Sequence, residues 1–174
     1  HLPWGNYKLI ETSFKDGYKT NRSEYDVVIG PEDNHITVDQ TIKNEKIQLS
    51  FGKMSSKSQA YLAKATFTLE SLDGKGFVNS LPEGVTENNG ILTWISEAST
   101  KLFNGVLKAE GKYKLTETKA PDGYELPENY AVIFTVQKDG SLVINEVNVN
   151  NQTLTSDYSQ YISLDSQKVV LTLK

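Results

Sequence analysis

Two ionisable residues, Lys53 and Glu117, stand in strand-like patterns that predict inward side chains. In the segment Ile47-Gln-Leu-Ser-Phe-Gly-Lys53, the alternate residues are three large apolar ones and the lysine. In Tyr113-Lys-Leu-Thr-Glu117, the residues that share a face with Glu117 are a tyrosine and a leucine. Burial favours the neutral forms of both an amine and a carboxyl group. The pair therefore predicts a nucleophilic amine beside an acid, although from the residues alone a buried salt bridge without covalent chemistry is the favoured alternative.

The elements that would position these groups are β-strands. Short runs of β-branched and aromatic residues alternate with Gly, Asn, Asp and Pro clusters, and no segment keeps helical spacing for three turns. The turn signals at Asn88-Asn89-Gly90 and Lys138-Asp139-Gly140 predict two β-hairpins. Residues 97–107 are less regular and predict a short helix or a long loop. The predicted strands cover residues 47–53, 65–69, 91–96, 112–118, 130–137, 141–147, 161–164 and 168–173.

The motif around Glu117 occurs twice. Residues around Glu11 recur around Glu117 at a constant offset, since 111 − 5 = 124 − 18 = 106. A spacing of this size is typical of tandem sandwich domains of about 100 residues. The matching residues are Gly5, Tyr7, Lys8, Leu9, Glu11, Thr12, Asp16, Gly17 and Tyr18 with Gly111, Tyr113, Lys114, Leu115, Glu117, Thr118, Asp122, Gly123 and Tyr124.

This motif resembles the E-box of CnaB-type domains, the prealbumin-like repeats of Gram-positive pilins and cell-wall-anchored adhesins. Upstream, Lys53 and the segment 62–67 (LAKATF) are similar to the donor-strand lysine and following signature of that family. The resemblance implies an all-β, immunoglobulin-like or prealbumin-like antiparallel β-sandwich. It divides the chain into the C-terminal part of a first domain, residues 1–45, and a nearly complete second domain, residues 46–174. The E-box residues are Tyr113, Leu115, Glu117, Pro121, Gly123 and Tyr124.

The resemblance also implies a spontaneous isopeptide bond, with Lys53 as the donor and Glu117 as the assisting acid. A protonated Glu117 would polarise the carbonyl of an asparagine or aspartate on the last strand for attack by the amine. In this copy the acceptor is unknown and is expected just after Lys174, because residues 171–174 (LTLK) parallel the segment 41–44 (TIKN).

Two further sets of residues bear on the acceptor. Asn148, Asn150 and Asn151 are alternative acceptors, but they follow a hairpin strand and are expected in a loop or turn. In the first copy, Glu11 and Asn44 are the equivalents of the acid and the acceptor, and a lysine at the Lys53 spacing would precede His1.

Composition narrows the function classes. The formal net charge of −4 comes without a basic cluster, so nucleic-acid binding is disfavoured. No stretch approaches the roughly 18 apolar residues of a membrane span, and no membrane insertion is expected for what we take to be an excised fragment. The chain has no cysteine, which excludes disulfides and thiolate chemistry. The two histidines, His1 and His35, are isolated, so neither a metal nor a cofactor is expected.

These observations predict a structural stalk or spacer module of a Gram-positive surface protein or pilus subunit, extracellular and anchored to the cell wall. Its partners would be neighbouring domains or pilus subunits, and its only chemistry would be one intramolecular turnover, so it is not expected to be an enzyme. The alternative is an adhesin domain that binds a host ligand, such as a matrix protein, through loops or residues 97–107. An enzyme or a carbohydrate-binding accessory domain is a third class, without a Ser-His-Asp constellation to support it.

Overall fold

The computed structural model describes residues 2–12, 17–19, 24–32, 43–74, 84–95, 107–165 and 170–174. Every regular element in these ranges is a β-strand. The strands are β1 (Gly5–Ile10), β2 (Glu24–Ile29), β3 (Gln48–Lys53), β4 (Thr66–Ser71), β5 (Gly84–Val85), β6 (Ile91–Ile95), β7 (Lys112–Lys119), β8 (Ala131–Val136), β9 (Leu142–Val149), β10 (Gln152–Leu154), β11 (Ile162–Asp165) and β12 (Val170–Leu173).

Strands β3 to β12 form two sheets that share one core. The six-stranded sheet has the order β10-β9-β8-β7-β4-β5 and the four-stranded sheet the order β11-β12-β3-β6. All described pairs are antiparallel except β3 with β12, the first and last strands of the second copy, which run parallel. The all-β prealbumin-like sandwich predicted from sequence is confirmed.

Alternation of side chains builds the core between the sheets. On β7, Tyr113, Leu115 and Glu117 are buried, while the residues between them are half-buried on the other face. Phe51 on β3 meets Phe134 on β8 with ring centroids 5.9 Å apart, so the two sheets contact each other through large aromatic side chains. The inward positions of β3 and β7 therefore lie in the apolar interior.

All eight predicted strands of the second copy are found, and the 138–140 turn joins β8 and β9 in a hairpin as predicted. The hairpin predicted at residues 88–90 is wrong. A turn does occur there, with the Gly90 amide donating to the Glu87 carbonyl, but β5 pairs with β4 and β6 pairs with β3. This turn therefore passes the chain from one sheet to the other. The predicted irregular segment lies outside the described residues except for Leu107, which is buried.

The first copy contributes a two-stranded antiparallel sheet, β1 and β2. Several of its large apolar side chains remain exposed, with Leu9 at 41% and Val28 at 67%. Residues 17–19 lie beside the start of the second copy, where the Ile47 amide donates to the Gly17 carbonyl at 2.8 Å. Most of the predicted last strand of this copy, residues 36–44, lies outside the described ranges, which resume at Lys43.

The described part of the chain contains no helix long and apolar enough to span a bilayer. Nor does any group of three or more His, Cys, Asp or Glu side chains within these ranges lie where it could hold a metal ion.

Candidate functional site

Lys53 and Glu117 meet inside the second copy. Lys53 is the last residue of β3 and Glu117 lies near the end of β7, on the facing sheet. Their side chains are 5% and 0% exposed, and Lys53 Nζ lies 3.0 Å from Glu117 Oε2. Strand alternation turns both residues inward, and the packing of the two sheets brings them into hydrogen-bond contact.

The carboxyl group of Glu117 is poised to hold a proton. Burial raises the pKa of Glu117, and the attraction and hydrogen bond of Lys53 only partly oppose this effect. The second oxygen, Oε1, is buried and has no hydrogen-bond partner among the described residues. A buried polar atom without a partner is costly, so Oε1 marks the place where a further polar group would fit.

Tyr130 completes the site, and sequence reasoning missed it. Lys53 Nζ lies 5.1 Å from the centre of the Tyr130 ring, a cation–π distance when the amine is protonated. The ring is buried, and burial raises the pKa of its hydroxyl. The signal was present in the sequence, because Tyr130 shares a face with Val132, Phe134 and Val136 just before and along β8.

The Tyr130 hydroxyl ties the end of β12 to this site. It lies 2.5 Å from the Tyr161 carbonyl and 3.1 Å from the Lys174 carbonyl, and it accepts a hydrogen bond from the Lys174 amide at 3.1 Å. In the parallel pairing of β3 and β12, Leu173 is the partner of Lys53. The chain therefore leaves β12 immediately beside the lysine.

The three alternative acceptors lie elsewhere. Asn148 is between two buried valines on β9, so its side chain is on the outer face of the six-stranded sheet, opposite to that of Glu117. Asn150 and Asn151 form the tight turn between β9 and β10, with φ of 48° and 61°, and both are exposed. The expectation of turn residues is confirmed for these two, whereas Asn148 belongs to a strand.

The other E-box residues frame the acid. Tyr113 and Leu115 are fully buried, and the Tyr113 hydroxyl accepts a hydrogen bond from the Lys108 amide at 2.8 Å. Pro121 is buried and accepts a hydrogen bond from the Tyr124 amide, closing a turn in which Gly123 has a φ of 82°. A residue with a side chain adopts that conformation only with strain, which explains the glycine. Tyr124 itself is 45% exposed and does not enter the core.

In the first copy the structure brings Glu11 and Asn44 together. Asn44 Nδ2 donates to Glu11 Oε1 at 3.2 Å, across 33 residues of sequence. The remaining oxygens, Glu11 Oε2 and Asn44 Oδ1, are buried and have no partner among the residues that the structure describes. The first copy thus presents an acid and a carboxamide with two acceptor oxygens that lack a donor, the complement of the acid and amine in the second copy.

A comparison with family models identifies one family. A family model described as SpaA prealbumin-like fold domain matches residues 1–46 and again 47–153. No curated protein matches the chain.

Several solved structures match the chain at low sequence identity and low structural similarity. They include the Bacillus anthracis TIE protein, with 25% identity and a TM-score of 0.44 over 80% of this chain and 24% of that one. Another is the C-terminal fragment of the pilus adhesin SpaC from Lactobacillus rhamnosus GG, with 21% identity and a TM-score of 0.43 over 99% and 75% of the two chains. A third is the group B streptococcus pilus 2b backbone protein, with 21% identity and a TM-score of 0.39 over 78% and 43%. This chain thus spans about a quarter of the TIE protein.

Proposed function

Because the chain belongs to the SpaA prealbumin-like fold domain family, we propose that it is a stalk module of a Gram-positive surface protein or pilus subunit, stabilised by an isopeptide bond from Lys53. The observation that carries the proposal is the buried contact of 3.0 Å between Lys53 Nζ and Glu117 Oε2, with Glu117 Oε1 left without a partner among the described residues. An ion pair that served stability alone would not need the second oxygen held unpaired in the core.

The proposed acceptor is an asparagine or aspartate directly after Lys174. That position is two residues beyond Leu173, so it shares the inward face of Leu173. Because Leu173 pairs with Lys53 and Tyr130 holds the Lys174 carbonyl and amide, a side chain there would be directed toward the amine and the free Glu117 oxygen.

The chemistry is an amide exchange. Protonated Glu117 donates a hydrogen bond to the acceptor carbonyl, and the neutral Lys53 amine attacks its carbon. A C–N bond forms to Lys53 and the original C–N bond of an asparagine breaks. Glu117 carries a proton from the attacking nitrogen to the leaving one, so ammonia departs; with aspartate the leaving group is water. The reaction happens once in each molecule, so we do not propose an enzyme.

The consequence for a stalk is mechanical and thermodynamic. The bond would join the first and last strands of the sandwich and close a loop of more than a hundred residues, which restricts the unfolded chain as a disulfide does. The chain has no cysteine, and an amide serves this purpose without a redox-sensitive bond.

We propose the same role for the first copy. Glu11 and Asn44 would be the acid and the acceptor of an equivalent bond, and the lysine would come from outside the described residues. The two unsatisfied oxygens, one on each side chain, support this assignment because a lysine amine placed there would satisfy them.

This function places the protein outside the cell, anchored to the wall, with neighbouring domains or pilus subunits as partners. Family membership supports this placement.

Intact-mass spectrometry tests the bond in a matched pair of chains, one with asparagine and one with alanine directly after Lys174. We expect the asparagine chain to be lighter than its calculated mass by one ammonia, and the loss to disappear in Glu117→Ala and in Lys53→Met. The alanine chain should have its calculated mass throughout. An asparagine chain that keeps its full mass after folding would rule out the proposed acceptor.

A further inference from the structure

The outer face of the six-stranded sheet carries a polar depression that the proposed crosslink does not use. The strand register aligns five residues across β4, β7, β8, β9 and β10 in one row: Thr68, Thr116, Ala131, Asn148 and Thr153. Ala131, in the middle, has only a methyl group and is 2% exposed although it faces outward. A row of longer polar side chains around a small central residue makes a concave surface.

We call this depression the outer concavity. Its volume is about 350 Å³. That volume lies within the usual range of small-molecule sites. No aromatic, acidic or large apolar side chain is among the described residues that line it. The lining consists of Lys114, Thr116, Asn129, Ala131, Asn148, Asn151, Gln152 and Thr153.

The rim of the outer concavity is held in place by its own hydrogen bonds. Asn129 Nδ2 donates to Asn151 Oδ1, and Asn151 Nδ2 donates to Glu128 Oε2 at 2.6 Å. The Glu128 amide in turn donates to Asn150 Oδ1 at 3.2 Å. Asn129, Asn150 and Asn151 all have positive φ, a conformation that asparagine tolerates better than most residues. Side chains fixed in this way lose little conformational entropy when a ligand binds.

Several polar groups in the outer concavity remain available. Thr153 Oγ1 donates to Asn148 Oδ1 at 2.7 Å, which orients the side-chain amide of Asn148. Its Nδ2 has no hydrogen-bond partner among the described residues. The side-chain amide of Gln152 and the Thr116 hydroxyl also have no hydrogen-bond partner within the described ranges. Amides and hydroxyls together offer donors and acceptors side by side, and each sugar hydroxyl requires both.

The charge of Lys114 determines which hydroxyl-bearing ligands fit the outer concavity. Lys114 is the only cation in the described lining and makes no ion pair with any described residue. Two carboxylates lie nearby but outside the lining: Glu70, the cross-strand partner of Lys114, and Glu128, which accepts a hydrogen bond from Asn151 Nδ2 at the rim. Within the lining, a single ammonium group among neutral amides fits a ligand with one carboxylate and many hydroxyls. It does not fit a polyphosphate or a nucleic acid, which needs several cations, and without apolar lining it does not fit a hydrophobic peptide.

We infer that the outer concavity binds an acidic carbohydrate, with Lys114 pairing with the carboxylate and the amides of Asn129, Asn148 and Gln152 binding the hydroxyl and acetamido groups. This inference does not depend on the isopeptide bond, because the outer concavity and the Lys53–Glu117 pair lie on opposite faces of the same sheet. It gives the adhesin alternative a specific surface on the outer face of the six-stranded sheet.

The test is a titration followed by amide NMR, with two oligosaccharides of equal length. The probe is a tetrasaccharide of alternating glucuronic acid and N-acetylglucosamine, and the control is the neutral tetrasaccharide of N-acetylglucosamine. We expect the acidic probe to shift the side-chain amide resonances of Asn129, Asn148 and Gln152 in a saturable way, and the neutral one to bind at least about tenfold more weakly.

Single substitutions distinguish specific binding in the outer concavity from nonspecific electrostatic attraction. Lys114→Gln should weaken the acidic probe by about tenfold, the value of one charge-assisted hydrogen bond, and Asn148→Ala by a smaller factor. Lys112→Gln removes the same charge from the same strand but outside the lining, and should leave affinity unchanged. The inference is overturned if the amide resonances stay fixed at millimolar probe, if both tetrasaccharides bind equally, or if Lys112→Gln weakens binding as much as Lys114→Gln.

Discussion

The two copies of the repeated motif place the same strand pair in different surroundings. In both, the E-box strand pairs antiparallel with the strand that follows it, β1 with β2 and β7 with β8. In both, the E-box tyrosine hydroxyl bonds to the backbone a few residues upstream, Tyr7 to the Pro3 carbonyl at 2.6 Å and Tyr113 to the Lys108 amide at 2.8 Å. The repeated sequence therefore forms the same strand pair in both copies, with Glu11 directly after β1 and Glu117 within β7.

The surroundings decide which partner the glutamate meets. Glu117 faces an amine across a closed core, whereas Glu11 faces a carboxamide at the end of a thin two-stranded sheet. Each copy thus shows a different pair of the three groups that the proposed bond requires. The comparison indicates that the E-box segment positions the acid, and that this does not need the donor and the acceptor to be present together.

Preventing the proposed bond is expected to cause the largest loss in the free energy of unfolding. In a chain with asparagine after Lys174, Glu117→Gln should prevent the bond and lower the free energy of unfolding by about 4 to 5 kcal/mol, the loop-closure contribution of a crosslink of this span. Urea denaturation followed by circular dichroism measures the loss. With alanine after Lys174 the same substitution should have a much smaller effect, and equal losses in the two backgrounds would contradict the proposal.

Core truncation tests the difference in burial between the copies. Phe51→Ala should lower the free energy of unfolding by about 3 to 5 kcal/mol, because Phe51 is fully buried against Phe134. Leu9→Ala should cost less than about 1 kcal/mol, because Leu9 on β1 is 41% exposed. Urea titrations of the two variants give both values. Similar losses at the two positions would show that β1 is buried in solution.

The ionisation of Glu117 should make the free energy of unfolding of the second copy depend on pH. Burial raises its pKa above the ordinary 4.5, so this group stabilises the fold fully below pH 4.5 and the contribution is lost as pH rises through the folded-state pKa. Glutamine resembles the protonated acid. We compare two chains that both have alanine after Lys174, one with Glu117 and one with Glu117→Gln. The free energy of unfolding of the glutamine variant should increase relative to that of the glutamate chain from pH 4.5 toward neutral, as measured by urea midpoints. A decrease over the same range would mean that the ion pair dominates.

The smallest effect is expected at the exposed ion pair of the first copy. Lys8 Nζ lies 2.6 Å from Asp26 Oδ1, and this hydrogen bond raises the pKa of Lys8. Both side chains are more than half exposed, so water and salt screen the interaction. Lys8→Gln should leave the thermal unfolding midpoint unchanged within error. A clear drop would show that the first copy is more compact than its exposure indicates.

Period-two alternation predicted the inward faces of β3 and β7, and hence that Lys53 and Glu117 point into the core. Alternation alone does not fix the distance between them, which depends on how the two sheets stack; the family resemblance supplied the expectation that they meet. Tyr130 was missed for the same reason, since its hydroxyl meets the backbone of Tyr161 and Lys174, more than thirty residues away. The turn at Gly90 was recognised, but turn chemistry fixes local backbone angles and does not specify which sheet the next strand joins.

The parallel pairing of β3 and β12 has a consequence for tension along the chain. A force that enters at the start of β3 and leaves at the end of β12 pulls two adjacent strands past each other in shear, so their hydrogen bonds must break together and not one after another. With the proposed bond at Lys53, the same force would pass along β3, cross the new amide and leave the domain, and residues 54–174 would bear none of it.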